Sequence, residues 1–113
     1  MKASHDASAV HKLDPQTFGE WQPEFQHWRF STERGGLMVR EFVFADFAAA
    51  FGFMAQLAVV AEKHDHHPEW RNVYNRVEIT LTTHDVQGLS QRDLALARHA
   101  DAAYLGFTSH LPA

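Results

Sequence analysis

Leu37-Met38-Val39-Arg40-Glu41-Phe42-Val43-Phe44, then Ala45-Asp46, then Phe47-Ala48-Ala49-Ala50-Phe51-Gly52-Phe53-Met54, changes its hydrophobic period at residue 46. Before that point branched and aromatic residues fill both parities. Leu37, Val39 and Val43 share one and Met38, Phe42 and Phe44 the other, as in a strand. Asp46 is a good helix cap because its carboxylate accepts from free backbone N–H groups of the first turn. Phe47, Ala50, Phe51, Met54, Leu57, Ala58 and Ala61 then recur at helical spacing on one face. Phe53, Val59 and Val60 lie off that stripe. Such a second apolar flank belongs either to a contact with another subunit or to a helix sunk deep in its own core. The first alternative predicts that Phe53, Val59 or Val60 loses surface at a subunit contact.

Working outward, Trp28 and Phe30 alternate with Arg29 and Ser31, and Glu33-Arg34-Gly35-Gly36 has the composition of a turn, so residues 28–44 form a hairpin. Asp14-Pro15 is a helix start, with Leu13 and Phe18 at staple spacing, but Gly19 and Pro23 keep that helix short or interrupted. Downstream, Pro68 disfavours helical geometry at His67, so the long helix ends within a few residues before it. Trp70 to Tyr74 is a short strand with a turn near Asn75. Val77, Ile79 and Leu81 alternate with Glu78, Thr80 and Thr82, a half-buried strand whose apolar parity faces the helices. Ser90-Gln91-Arg92-Asp93 is a capping box opening a last helix, with Leu89 and Leu94 flanking it; Leu94, Ala97, Asp101 and Tyr104 form its thin stripe, and it fades before Pro112. The order α-β-β-α-β-β-α makes an α+β fold, an antiparallel sheet covered on one face by helices.

Composition limits the function. The 113 residues suit one domain, here 13–113 behind a flexible tail of residues 1–12. A 45% apolar share supports a core, and a net charge of −4 argues against gripping nucleic acid through bulk charge. Cysteine is absent, which excludes thiolate nucleophiles and sulfur-ligated metal sites. The sequence shows no membrane-length apolar run and no signal-peptide core near Met1, so a cytoplasmic location is expected. Histidine is the outlier, at 9 residues.

Glu62-Lys63-His64-Asp65-His66-His67-Pro68-Glu69-Trp70 concentrates titratable groups between a helix end and a strand, and His84-Asp85 forms a second cluster at a strand end. Histidine both donates and accepts protons near neutrality, and two adjacent rings favour one charged and one neutral partner. Asp65 and Asp85 are placed to orient a ring or tune it. A lone histidine here would be a solvated loop residue; a doublet before proline and next to Trp70, with His84 at a strand end, favours function. Zinc is a competing reading, since His64, His66, His67 and His84 offer nitrogens, but the spacing matches no zinc pattern and His-Glu-x-x-His is missing. No phosphate loop or serine nucleophile elbow is present.

The segment 62–70, with Asn72-Val73-Tyr74-Asn75, Val77, Thr83-His84, Gly88-Leu89-Ser90 and Asp93, resembles the pterin-4a-carbinolamine dehydratase family, and Phe47 with Ala50-Phe51-Gly52-Phe53-Met54 fits it too. The likeness covers roughly residues 28 to 105. The N-terminal part departs from it, because Trp28 follows His27 and Pro23 interrupts the first helix. The resemblance implies a four-stranded antiparallel sheet with helices on one face, and a homodimer or homotetramer. It also implies loss of water from a 4a-hydroxytetrahydropterin to give quinonoid dihydropterin, recycled for an aromatic amino-acid hydroxylase, with no metal or organic cofactor. Such chemistry is proton transfer alone: the C4a hydroxyl gains a proton and N5 loses one. By resemblance His66 and His84 transfer protons on the two faces of the pterin, and His67 binds and orients it. Backbone around Pro68 and Thr83 to Val86 holds the flat ring, Trp70 walls the site, and Asp65 and Asp85 tune the imidazoles. The alternative is a protein-interaction module, since animal members also act as transcriptional coactivators through a dimerisation surface. A role beside molybdenum-cofactor enzymes belongs to relatives with an altered site.

Overall fold

The computed structural model describes residues 10–108, so residues 1–9, most of the expected tail, and 109–113, including Pro112, lie outside the described residues. Val10 to Asp14 take no regular structure, but the Leu13 N–H donates to the Leu89 carbonyl at 2.7 Å. Asp14 caps a 3-10 turn over Pro15–Thr17 by accepting from the Gln16 N–H, and this turn runs into the one-turn helix α1, Phe18–Trp21. The chain then forms β1 (Arg29–Ser31), a 3-10 turn over Glu33–Gly35 and β2 (Leu37–Val43). The long helix α2 (Phe47–His64) follows, then β3 (Glu69–Val73), β4 (Arg76–Leu81), a 3-10 turn over His84–Val86 and α3 (Gln91–Thr108). The element order and the α+β class are those expected.

The sheet is antiparallel throughout, in the order β1-β2-β4-β3. Met38, Phe42 and Phe44 take the buried parity of the first hairpin, and Val77, Ile79 and Leu81 that of β4, each at most 2% exposed. The helices cover this face. Phe42 and Phe44 stack against Phe53 of α2 at 4.9 and 5.0 Å between centroids, and both meet the Tyr104 ring of α3 edge-on. Asp101 lies on the α3 stripe because it accepts from the Trp28 indole and from Arg40, a charge held among the aromatic rings.

The buried face of α2 keeps Ala50, Leu57 and Ala61 of the expected stripe but differs from it at the edges, taking in Phe53 and leaving out Phe47 and Phe51. Its buried residues are Ala50, Phe53, Leu57 and Ala61. Phe53 is fully buried in the chain's own core and Val60 packs against that core, so Phe53 belongs to no subunit contact. Phe47, Phe51 and Val59 are instead 51%, 59% and 71% exposed. Positions 47, 51 and 58 have helical spacing, but so do 50, 53, 57 and 61, and the sheet selects the set that carries its rings against Phe42 and Phe44.

Candidate active site

The site begins where α2 stops. Asp65 takes a left-handed conformation, φ 52°, and its N–H donates back to the Glu62 carbonyl while that of His66 donates to the Ala61 carbonyl. This paired closure is the Schellman motif, with aspartate where glycine is usual. It turns the chain sharply, so consecutive histidines diverge: His66 is buried and His67 is exposed.

The His66 ring meets a carboxylate from the other end of the site. Its Nε2 lies 2.6 Å from Oδ1 of Asp93, which is fully buried in the first turn of α3. The second oxygen, Oδ2, accepts from the Ser90 N–H at 3.0 Å and from the Thr83 hydroxyl at 2.6 Å. Because Thr83 Oγ1 donates there, it accepts from Ser90 Oγ at 2.7 Å, and Ser90 Oγ in turn accepts from the Arg92 N–H. Asp93 therefore receives only donors from its protein neighbours, which is how a carboxylate tolerates burial. Facing a carboxylate oxygen, His66 Nε2 is the donor in that contact, which leaves Nδ1 as the ring nitrogen free for another partner.

The other rings stand in the open. His67 Nε2 lies 2.9 Å from Glu62 Oε1, one turn back on α2. His84, in the turn after β4, has an 80% exposed side chain and Nε2 3.7 Å from Glu69 Oε2. Glu69 is gripped by both guanidinium nitrogens of Arg34, at 2.9 and 2.6 Å. That pairing, helped by the charge of His84, holds the Glu69 carboxyl below its ordinary range and raises Arg34.

His66, His67 and His84 line one cavity of about 480 Å³, together with Asp65, Pro68, Glu69, Thr82, Thr83, Asp85 and Arg92. Of the residues expected at the site, Trp70 and Val86 are not among those lining it; Trp70 packs on the core beside Ile79, its partner in the sheet register. Asp85 lies 3.4 Å from Arg92. Asp93 was expected in a capping box and among the residues that carry the family resemblance, but not as the partner of His66, and Glu62, Glu69, Thr82 and Arg92 had no expected role at the site. Glu62 and Glu69 stood inside the quoted cluster, and the signals for Asp93 were the capping box and its place in the family-like motif. Among the described residues no His, Cys, Asp or Glu side chains group in threes to hold a metal ion. No described helix is long and apolar enough to cross a membrane.

Known proteins share this frame. A family model described as pterin 4 alpha carbinolamine dehydratase matches residues 11–103, so the likeness reaches past the interrupted first helix to the start of the fold. A protein of Rhodopseudomonas palustris (strain BisB18) named "Putative pterin-4-alpha-carbinolamine dehydratase" is 56% identical over 79 residues, 70% of this chain and 77% of the relative. One of Burkholderia orbicola (strain MC0-3) with the same name is 47% identical over 94 residues, 83% of this chain and 91% of the relative. The crystal structure of a transcriptional coactivator/pterin dehydratase from Brucella melitensis superposes with a TM-score of 0.78 at 42% identity, covering 83% of this chain and 99% of that one. A pterin dehydratase-like protein identified as a RuBisCO assembly factor in the alpha-carboxysome superposes with a TM-score of 0.60 at 26% identity, over 68% of this chain and 88% of that one. The chain described here, with its histidine-lined cavity at the junction of α2, β4 and α3, belongs to the pterin-4a-carbinolamine dehydratase family.

Proposed function

We propose that this chain eliminates water from 4a-hydroxytetrahydropterins by histidine acid–base catalysis, giving the quinonoid dihydropterin. The observation that carries the reading is the meeting of His66, His67 and His84 on one cavity, with His66 anchored by buried Asp93. The reaction needs a proton delivered to the leaving C4a hydroxyl and another taken from N5. His66 exchanges its proton through Nδ1 and is locked in orientation. His84, with its exposed side chain, acts at the opposite face, while His67, tied to Glu62, binds and orients the ring. Asp65, Pro68, Thr83 and Asp85 contribute to holding the pterin, with Trp70 and Val86 supporting the turns from behind. No further cofactor is required, and the quinonoid product must be reduced by two electrons to the tetrahydropterin before an aromatic amino-acid hydroxylase can use it again. A homo-oligomer, joined through the exposed flank of α2, and a cytoplasmic setting complete the reading.

Absorbance-monitored dehydration of enzymatically generated 4a-hydroxytetrahydropterin tests this proposal. Acceleration above the uncatalysed rate supports it, and a rate equal to the uncatalysed one contradicts it. A second reading, a protein-interaction module, draws on the exposed Phe47, Phe51 and Val59 and on the coactivator and assembly-factor names of the structural relatives. Inactive protein that still binds a macromolecular partner would favour it.

A further inference from the structure

A second cavity of about 370 Å³ shares Thr82, Thr83 and His84 with the histidine-lined one and is otherwise lined by Lys12, Arg34, Gly35 and Gln87. The two differ in charge. The histidine-lined cavity carries Asp65, Glu69 and Asp85 against Arg92, whereas the described residues lining the second include two cations, Lys12 and Arg34, and no carboxylate. In a chain of net charge −4 this is a local reversal of sign. Arg34 spends its guanidinium on Glu69 at the border between the two. Lys12 takes part in none of the ion pairs among the described residues.

The floor beneath Lys12 is built from glycine. A side chain at Gly35, φ +83°, would put its Cβ 1.9 Å from the Gln87 carbonyl oxygen, and one at Gly88 would come within 2.7 Å of the Gly35 oxygen. Two backbone turns thus meet where only glycine fits. Lys12 lies across their junction, its Nζ 3.2 Å from the Gly35 Cβ position and its Cε 2.7 Å from that of Gly88. The adjacent Leu13–Leu89 backbone hydrogen bond fixes the segment that carries it.

We propose that this second cavity is a subsite for an anionic substituent on the substrate, with Lys12 as its counter-charge, so that the preferred pterins carry a phosphate ester or a carboxylate on their side chain. The inference rests on the dehydratase reading, which places the flat uncharged ring in the neighbouring histidine-lined cavity. A substituent leaving that cavity past Thr83 and His84 enters the second one. A lysine ammonium is a compact point charge that accepts either anion, so the geometry sets the charge of the group and leaves its chemistry to be measured.

The test titrates the full chain with 7,8-dihydroneopterin, its 3′-phosphate and 7,8-dihydrofolate by fluorescence, at low and at moderate salt. At least one anionic ligand should bind about tenfold tighter than the neutral one, a preference weakened by salt. In K12A, checked for native circular dichroism, the preference should fall to within about twofold, and K12R should keep it. Preference for the phosphate identifies a phosphate ester; preference for dihydrofolate identifies a carboxylate. Equal affinity for all three ligands, or a preference that survives K12A, overturns the subsite. If the neutral pterin is nonetheless bound and its carbinolamine dehydrated, the dehydratase reading stands without it; if no pterin binds, both fall.

Discussion

His66 and Asp93 stand 27 positions apart in the chain, yet the Nε2 of one lies 2.6 Å from the Oδ1 of the other in a buried contact. The carboxylate that caps α3 is thereby also the group that orients the ring following α2. One oxygen serves the helix start and the other serves the histidine, so the position of the ring depends on the packing of two helices and on the Thr83 and Ser90 hydroxyls between them.

Asp93→Asn tests that dependence. The amide keeps the shape but replaces one acceptor with a donor facing N–H or O–H groups. Turnover should fall by about 10²-fold or more while dihydropterin affinity stays within a few-fold, because the ring loses its tautomer rather than its place in the cavity. Stability should fall by about 1–3 kcal/mol, measured by urea unfolding. Unchanged turnover would show that the contact is structural only.

The burial phase of α2 makes a second test. Phe53→Ala should cost about 3–5 kcal/mol of stability, since Phe53 fills the space against Phe42, Phe44 and Tyr104. Phe51→Ala should change monomer stability by less than about 0.5 kcal/mol. Val59→Asp should weaken self-association in light scattering, because it places a charge on the exposed apolar flank. A wild-type monomer at micromolar concentration would contradict the oligomer.

Much of this fold was legible because its local signals agree with one another. Asp46 caps α2 through the Ala49 N–H, and Val77, Ile79 and Leu81 face the helices as their alternation required. The centre of the buried α2 face, Ala50, Leu57 and Ala61, was legible, but its edge was not, because Phe47, Phe51 and Ala58 on one side are as apolar as Phe53 on the other; only the position of the sheet separates them. The site was legible as a cluster of histidines with Asp65 and Asp85 nearby. The partner of His66 was hidden, since a capping box already accounts for one Asp93 oxygen and the use of the other depends on tertiary contact. Lys12 was read as part of a tail because nothing local reveals the hydrogen bond from Leu13 to Leu89.

The Arg34–Glu69 pair predicts an acid-side effect. Arg34 lowers the Glu69 carboxyl below its ordinary value of 4.5. A group whose pKa is depressed by folding contributes stability above the unfolded value and loses it as pH falls through the folded one. Arg34→Ala should therefore lower the melting temperature slightly at neutral pH, and the difference from wild type should close as pH falls below the ordinary 4.5 and through the depressed Glu69 value. Both side chains are nearly half exposed, so solvent screening keeps the neutral-pH effect small. A difference that grows toward acid would contradict the pairing.

Gly35→Ala should be disruptive out of proportion to its size. The added methyl meets the Gln87 carbonyl oxygen in a left-handed backbone conformation, so the two turns must part. A loss of about 2 kcal/mol or more is expected, with faster hydrogen exchange at Gln87 and Gly88, and a wild-type melting curve would contradict the close approach.

The most direct test of the central claim is the dehydration rate of three single variants, with turnover and KM separated. His66→Ala and His84→Ala should each lower kcat by about 10²- to 10⁴-fold with smaller changes in KM, while His67→Ala should mainly raise KM. Near-normal turnover in all three variants would contradict histidine acid–base catalysis in this cavity.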